Sequence, residues 1–242
     1  MNRQLEVMSS GIKRQIHGIM WLLRNPKQIQ HLIIRETLYR RRNSSRQGWI
    51  EWQKYDTYTA AFQHSTNVSY ARPLNQARIQ TFLEMISRGG KNLNVLDVGC
   101  GDGVLSEPIA KQGNAVTGFD LPTITSMAHK RRISNVFSGD AENLAFKPEV
   151  FDVVLASEVV EHLWNPQRFL NDAHRVLKPK GLLILEAPEG IEGLRYDAHK
   201  NWFTTERFQH MLDKKFTLLQ SKTYSPEWGA PTATFICLFQ KN

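Results

Sequence analysis

NVLDVGCGDGV, residues 94–104, sets three glycines within five positions directly behind an apolar run and an aspartate. Val95, Leu96 and Val98 make Asn94 to Val98 a short buried strand, and Gly99 ends it. The residues after Gly103 read as a helix. Gly99, Gly101 and Gly103 therefore occupy a strand-to-helix turn, where missing side chains let a ligand approach the main chain. Many nucleotide-binding folds share that turn. The dinucleotide fingerprint G-x-G-x-x-G would require a third glycine at position 104, which is Val104. The spacing here is G-x-G-x-G instead.

Downstream, strands and helices alternate. NAVTGFDLP is a second strand ending in Asp120, the position from which an α/β sheet reaches ribose hydroxyls with a carboxylate. SNVFSGDAENLAF places Asp140 at the end of a third strand, and FDVVLASEVVEHL supplies a fourth that finishes at Ser157 and Glu158. In HRVLKPKGLLILEAPEG a helix is expected to run as far as Pro179 and Gly181 and to feed a fifth apolar strand. FTLLQSKTY and TATFICLFQK are two further strands, separated by the Pro- and Gly-marked loop SPEWGAP.

These motifs, in this order, resemble the class I S-adenosylmethionine-dependent methyltransferases, in the branch with small-molecule and sugar-type acceptors. The resemblance covers about residues 92–241. It implies a Rossmann-like α/β fold, with a seven-stranded, mostly parallel sheet closed by an antiparallel C-terminal hairpin. It also implies that Asp97, Gly99, Gly101 and Gly103 surround the methionine part of S-adenosylmethionine. By the same resemblance Asp120 accepts from the ribose hydroxyls, Leu121 lies against the adenine, Asp140 and the Ala141 amide face its polar edge, and Ser157 and Glu158 close the cleft. Lys180-Gly181 stands where the family usually has Gly-Gly, at an exposed turn. The short stretch between Asp120 and Asn135 implies a brief second helix.

The chain has 242 residues, of which 41% are hydrophobic, enough for one α/β domain with an appendage. Cys100 and Cys237 make no disulfide scaffold, and a reducing cytoplasm is the economical reading. No apolar run is long enough to span a membrane, and GIMWLL is too short and poorly placed for a secretory leader. Residues 1–48 hold ten Lys or Arg against Glu6 and Glu36, so the whole net charge of +8 resides there. Around Asn25-Pro26 two amphipathic helices are expected, with Ile12, Ile16, Ile19, Leu23, Ile29 and Leu32 on their apolar faces. Such a basic extension suits peripheral contact with an anionic membrane, at the inner face of which the protein would sit, or else its stripes pack on the remaining chain. Residues 49–90 read as an aromatic helical cap, bringing Tyr55, Tyr58 or Tyr70 near a substrate or simply packing the added helices. Residues 91–242 form the methyltransferase domain.

Methyl transfer from a sulfonium is an in-line displacement, in which positioning does much of the work. A hydroxyl acceptor also needs a base or a metal ion. SEVVEHL offers both: Glu158, Glu161 and His162 are spaced to share one helix face beyond the fourth strand. Two carboxylates and an imidazole suit a divalent ion. The family's H-x-x-x-F-T stretch, here His199 to Thr204, adds His199 beside the substrate. The set resembles the Glu-x-x-Glu-His metal site of small-RNA 2′-O-methyltransferases and ubiquinone-pathway O-methyltransferases. His162, His199 and Glu158 are thus the catalytic candidates, and Glu158, Glu161, His162 and His199 the metal candidates. The expected reaction is O-methylation of a small molecule, a glycan or a lipid-linked intermediate. RNA methylation through the basic N-terminus is the alternative, disfavoured because that segment is apolar-striped and no RNA-binding module is present. A cofactor-binding protein without catalysis is a third reading.

Overall fold

The computed structural model describes residues 37–38, 40–52, 73–122, 133, 135–191, 194, 199–225 and 233–242. The chain divides between Tyr55 and Asp56 into two compact units. Most of the expected basic helices, the three tyrosines of the cap and the helix after Asp120 lie outside the described residues. In the first unit, residues 46–52 are helical and Ser45 caps them, its hydroxyl accepting from Gly48 N–H at 3.0 Å. The Arg42 guanidinium lies 5.8 Å from the centroid of the Trp52 ring.

The second unit opens with helix α1 (Pro73–Ser87), followed by β1 (Asn94–Val98), α2 (Ser106–Lys111), β2 (Ala115–Asp120), β3 (Asn135–Ser138) and β4 (Phe151–Ser157). After a three-residue 3-10 turn, Val160–His162, come α3 (Pro166–Val176), β5 (Leu177–Pro188), α4 (Thr205–Leu212), β6 (Phe216–Tyr224) and β7 (Thr234–Lys241). The seven strands form one sheet in the order β3-β2-β1-β4-β5-β7-β6. Neighbours from β3 to β5 are parallel, and β7 runs antiparallel to both β5 and β6. β1 lies centrally, with the chain crossing to β2 on one side and β4 on the other. That reversal opens a crevice beyond the carboxyl ends of β1 and β4.

Both faces of the central strands are buried, which explains why they read as continuous apolar runs. On one face Leu96, Val98, Val154, Ala156, Leu183 and Leu185 meet Phe169, Leu170 and Ala173 of α3 and Phe208 and Leu212 of α4. On the other, Val95, Val153, Leu155, Leu182 and Ile184 meet Phe82, Met85 and Ile86 of α1 and Ile109 of α2. Asn165 caps α3 by accepting from Gln167 N–H at 3.1 Å, with Pro166 opening the helix, and Thr204 caps α4.

α3 stops at Val176, earlier than the Pro179-Gly181 end expected from sequence, and β5 begins at once. Leu177 is already extended (φ −73°, ψ 136°), and Lys178 precedes a proline, whose ring disfavours helical backbone in the residue before it. Lys180 and Gly181, expected at an exposed turn, lie within β5 instead, where Lys180 takes a left-handed φ of 62°. Among the described residues no helix is long and apolar enough to cross a membrane.

The Phe203 and Phe208 rings stack at 4.6 Å and 18°, and Phe208 also meets Phe235 at 5.4 Å. All three are fully buried, so Phe208→Ala leaves a void in the α4 face of the core. The expected loss is about 3–5 kcal/mol, read as a lower urea midpoint with an unchanged slope.

Candidate active site

Side chains alternate along a strand, so residues two apart share a face. Asp97 follows Val95 on β1, Ser157 follows Val153 and Leu155 on β4, and Glu186 follows Leu182 and Ile184 on β5. All three polar residues therefore stand on the α1–α2 face, near the carboxyl ends of neighbouring strands. Ser157 and Glu186 are register partners, and the Ser157 hydroxyl donates to Glu186 Oε2. The Asp97 carboxylate accepts from the Ser106 hydroxyl at the start of α2.

The glycine turn uses its bareness in two ways. Gly99 (φ 74°) faces Val159, and a Cβ there would come within 2.2 Å of a Val159 methyl. Gly101 (φ 55°) instead has no heavy atom within 4 Å of where its Cβ would lie. Only the second keeps room for a ligand. Gly99 N–H and Cys100 N–H donate to the Phe119 carbonyl, Gly101 N–H donates to Asp120 Oδ2 at 2.8 Å, and Gly103 N–H donates to the Cys100 carbonyl. Amides engaged in this way form no phosphate cradle, which would need them directed at the ligand. Asp120 Oδ1 also accepts from Leu121 N–H at 2.6 Å, yet each oxygen retains acceptor capacity for a hydroxyl. Burial raises Asp120 above the usual carboxylate range, and those two amides pull it back down. Cys100 is held as a neutral thiol by burial and by the nearby Asp97 and Asp120.

Beyond β3, Gly139 N–H donates to the Asp120 carbonyl, which sets the next loop beside the end of β2. There Asp140 Oδ1 accepts from Glu142 N–H at 2.9 Å, turning the chain so that Ala141 sits half-buried at the bend.

A pocket of about 200 Å³ lies under α1, lined by Arg78, Ile79, Phe82, Val104, Leu105, Ser157 and Glu186. Arg78 Nε donates to the fully buried Glu186 at 2.6 Å, and its Nη2 lies 3.4 Å from Glu158 Oε1. Neither Arg78 nor Glu186 stood out from spacing. The one available signal was a glutamate interrupting the buried run LLILEAP, which demands a cationic partner from elsewhere in the chain.

Glu158, Glu161 and His162 do not share a helix face. The 3-10 turn covers only Val160–His162, and Glu158 precedes it in a left-handed conformation (φ 55°). The Glu158 amide donates to the Glu186 carbonyl while its side chain meets Arg78, contacts that outweigh helix propensity over four residues. Glu158, although 37% of its side chain is exposed, is raised to about 7, first by desolvation and then by the Glu186 carboxylate. Glu161, His162 and His199 do converge, each offering a ligand atom within 4.8 Å of the others. The two imidazoles meet edge to face at 4.8 Å between centroids. His199 is brought there by main-chain bonds, since Lys200 N–H and Asn201 N–H both donate to the Glu161 carbonyl and Asn201 Nδ2 donates to the Leu163 carbonyl. Neither buried Glu161 carboxylate oxygen has a basic donor at hydrogen-bond distance: the nearer His162 nitrogen stands 3.9 Å from Oε1, and its other neighbour is the Glu158 carboxyl. Burial, then the charge of Glu158, pushes Glu161 well above the ordinary carboxylate range. Such a group calls for a proton or a cation.

Asp97 carries a pH consequence. Burial raises it from 3.8 to about 7, with the Ser106 hydrogen bond opposing and Asp120 adding to the rise. The folded state thus holds a proton that the unfolded chain releases, so this contribution is complete below 3.8 and is lost as pH rises through about 7. Asp97→Asn keeps an oxygen for Ser106 but cannot ionise. Its Tm, measured by scanning calorimetry, is expected to fall less than that of the parent between about pH 5 and about pH 8.

Residues 96–185 match the family described as "Methyltransferase domain". The ubiquinone biosynthesis O-methyltransferase of Bartonella tribocorum is 41% identical over 100 residues, 39% of this chain and 40% of that protein. The protein of the same name from Rickettsia conorii is 29% identical over 175 residues, 66% of this chain and 58% of that one. The chain therefore spans less than two thirds of either relative. Among solved structures, the N-methyltransferase NodS from Bradyrhizobium japonicum, in complex with S-adenosyl-L-homocysteine, superposes with a TM-score of 0.65 at 18% identity, covering 76% of this chain and 98% of its own. The 1,6-didemethyltoxoflavin-N1-methyltransferase of Burkholderia thailandensis, with bound 1,6-didemethyltoxoflavin and S-adenosylhomocysteine, gives a TM-score of 0.65 at 17% identity over 82% of this chain and 91% of its own. Residues 96–185 thus carry the sequence of a methyltransferase domain, and the chain has the fold of these two solved methyltransferases.

Proposed function

We propose that the protein transfers a methyl group from S-adenosylmethionine to a hydroxyl of a small-molecule acceptor. The observation that carries this reading is the His162–His199–Glu161 cluster, which begins four residues beyond the pocket-lining Ser157. The residues present fit the cofactor: Gly101 leaves open space beside its backbone, and Asp120 offers a carboxylate at the end of β2. Asp97, Gly99 and Gly103 shape the turn, Leu121, Asp140 and Ala141 flank the adenine side, and Ser157 closes the cleft. Arg78, on the pocket wall, is suited to the cofactor's carboxylate.

When bound, S-adenosylmethionine supplies a methyl group already activated on a sulfonium. The chain has to align the acceptor oxygen and accept its proton, and His162 and His199 are the bases in reach of the cleft. The name of the relatives, ubiquinone biosynthesis O-methyltransferase, supports oxygen as the acceptor atom and a small molecule over RNA. The buried Glu161 carboxylate, with two imidazoles beside it, further suits a divalent cation held by Glu161, His162 and His199, which would lower the pKa of a coordinated hydroxyl. Glu158 then serves the Arg78 side of the site.

Calorimetry with S-adenosylhomocysteine, followed by labelled methyl transfer to a panel of hydroxylated aromatics and lipid-linked glycans, tests the reading. His162→Ala and His199→Ala are each expected to lower kcat by about 10²–10⁴ while leaving cofactor affinity within about threefold. Full turnover in both variants would remove the histidines from the mechanism. Activity that survives metal stripping and strong chelation would exclude the cation alone.

The basic residues of 1–48 support a second, peripheral role at anionic lipid. Each is worth about 1 kcal/mol near such a surface. The full chain is expected to sediment with anionic but not neutral vesicles, less so at high salt, and deletion of residues 1–48 should abolish this. Equal sedimentation with both vesicle types would defeat the electrostatic reading.

A further inference from the structure

Glu142 is buried, with 4% of its surface exposed, in the loop between β3 and β4. Its main-chain N–H is the donor to Asp140 Oδ1 at 2.9 Å, and Asn143 N–H donates to the Asp140 carbonyl at 2.8 Å, so its backbone belongs to the bend at Asp140 and Ala141. Its side chain reaches across to another element. Oε1 accepts from Trp164 N–H at 2.7 Å and from Asn165 N–H at 3.1 Å. Those two amides lie between the 3-10 turn that carries His162 and the first turn of α3. The same short stretch includes Leu163, whose carbonyl takes Asn201 Nδ2 at 2.6 Å, two residues from His199. One carboxylate therefore joins the loop assigned to the adenine with the turn that holds both imidazoles.

We infer that Glu142 is a positioning residue that couples occupancy of the cofactor site to the placement of His162 and His199. The inference rests on the cofactor reading given above. A ligand that orders the Asp140–Ala141 bend also orders the Glu142 backbone. Through Oε1 that order reaches Trp164 and Asn165, and so the chain immediately after His162. Hydrogen bonds to an ionised acceptor are shorter and stronger than neutral ones, which suits a carboxylate to clamping two adjacent amides. Asn165 has a further task as the cap of α3, so the clamp also fixes where that helix starts. Displacing a reacting group by about 1 Å costs on the order of a hundredfold in rate, so a loosened clamp acts on turnover even though Glu142 touches neither imidazole.

The 242-residue chain with His labelled at its ring nitrogens tests this, together with Glu142→Ala, Glu142→Gln and Glu142→Asp. In the parent, addition of S-adenosylhomocysteine is expected to shift or sharpen the His162 and His199 resonances. In Glu142→Ala the cofactor product still binds within about threefold of the parent, the histidine response is lost and kcat falls by about tenfold to a hundredfold. Glu142→Gln retains an oxygen for both amides and should recover most of the response and the rate. Glu142→Asp, one methylene too short, is expected to behave like the alanine variant, and it replaces that variant if alanine does not fold. A histidine response of parental size in the folded alanine or aspartate variant overturns the coupling, as does a glutamine variant no better than alanine. If S-adenosylhomocysteine does not bind the parent at all, the cofactor reading fails and this inference falls with it; binding without any histidine response defeats the coupling alone.

Discussion

The burial of β1, β4 and β5 on both faces constrains everything else in the second unit. A strand enclosed in this way tolerates polar side chains only near its end, and each must find a partner there. Asp97 finds Ser106, Ser157 finds Glu186, and Glu186 finds Arg78. Because the strands are parallel, these ends lie side by side, and satisfying them gathers a polar network where the sheet's topology reverses. The network is also why α1 is seated where it is. Its apolar face meets Val153 and Leu182, while Arg78 on the same helix neutralises a carboxylate that the sheet could not otherwise bury.

Around this frame the charges are arranged in a graded way. Burial raises Asp97, Asp120, Glu158 and Glu161 alike, but only Asp120 is opposed by two main-chain amides, those of Gly101 and Leu121. The carboxylate that closes β2 is thus held by its own backbone. Asp97 instead leans on the Ser106 hydroxyl and Glu158 on the Arg78 guanidinium, side-chain partners that a single substitution removes.

Much of the sheet was legible in the sequence, since runs such as NVLDV and FDVVLAS announce buried parallel strands and FTLLQSKTY coincides with β6. The places of Asp120, which closes β2, and of Asp140, two residues beyond β3, were legible because each follows an expected strand. What escaped notice required contacts between distant parts of the chain. E-x-x-E-H suggests a helix by spacing, but Glu158 is held in left-handed backbone by partners 28 and 80 residues away, Glu186 and Arg78. No local pattern contains that information. Arg78 looked like any surface residue of an amphipathic helix until β5 placed a buried glutamate beneath it. The end of α3 was misjudged by giving Pro179 weight at its own position, when its steric effect falls on Lys178.

His199 owes its place to the main chain. Lys200 and Asn201 bind the Glu161 carbonyl through their amides, and Gly190 N–H donates to the Phe203 carbonyl beside the Glu189–Phe203 bridge. Position 199 is therefore held by bonds indifferent to side-chain identity. The imidazole can be exchanged for another side chain without loss of those ties, so the donor set beside Glu161 and His162 is separable from the backbone that carries it.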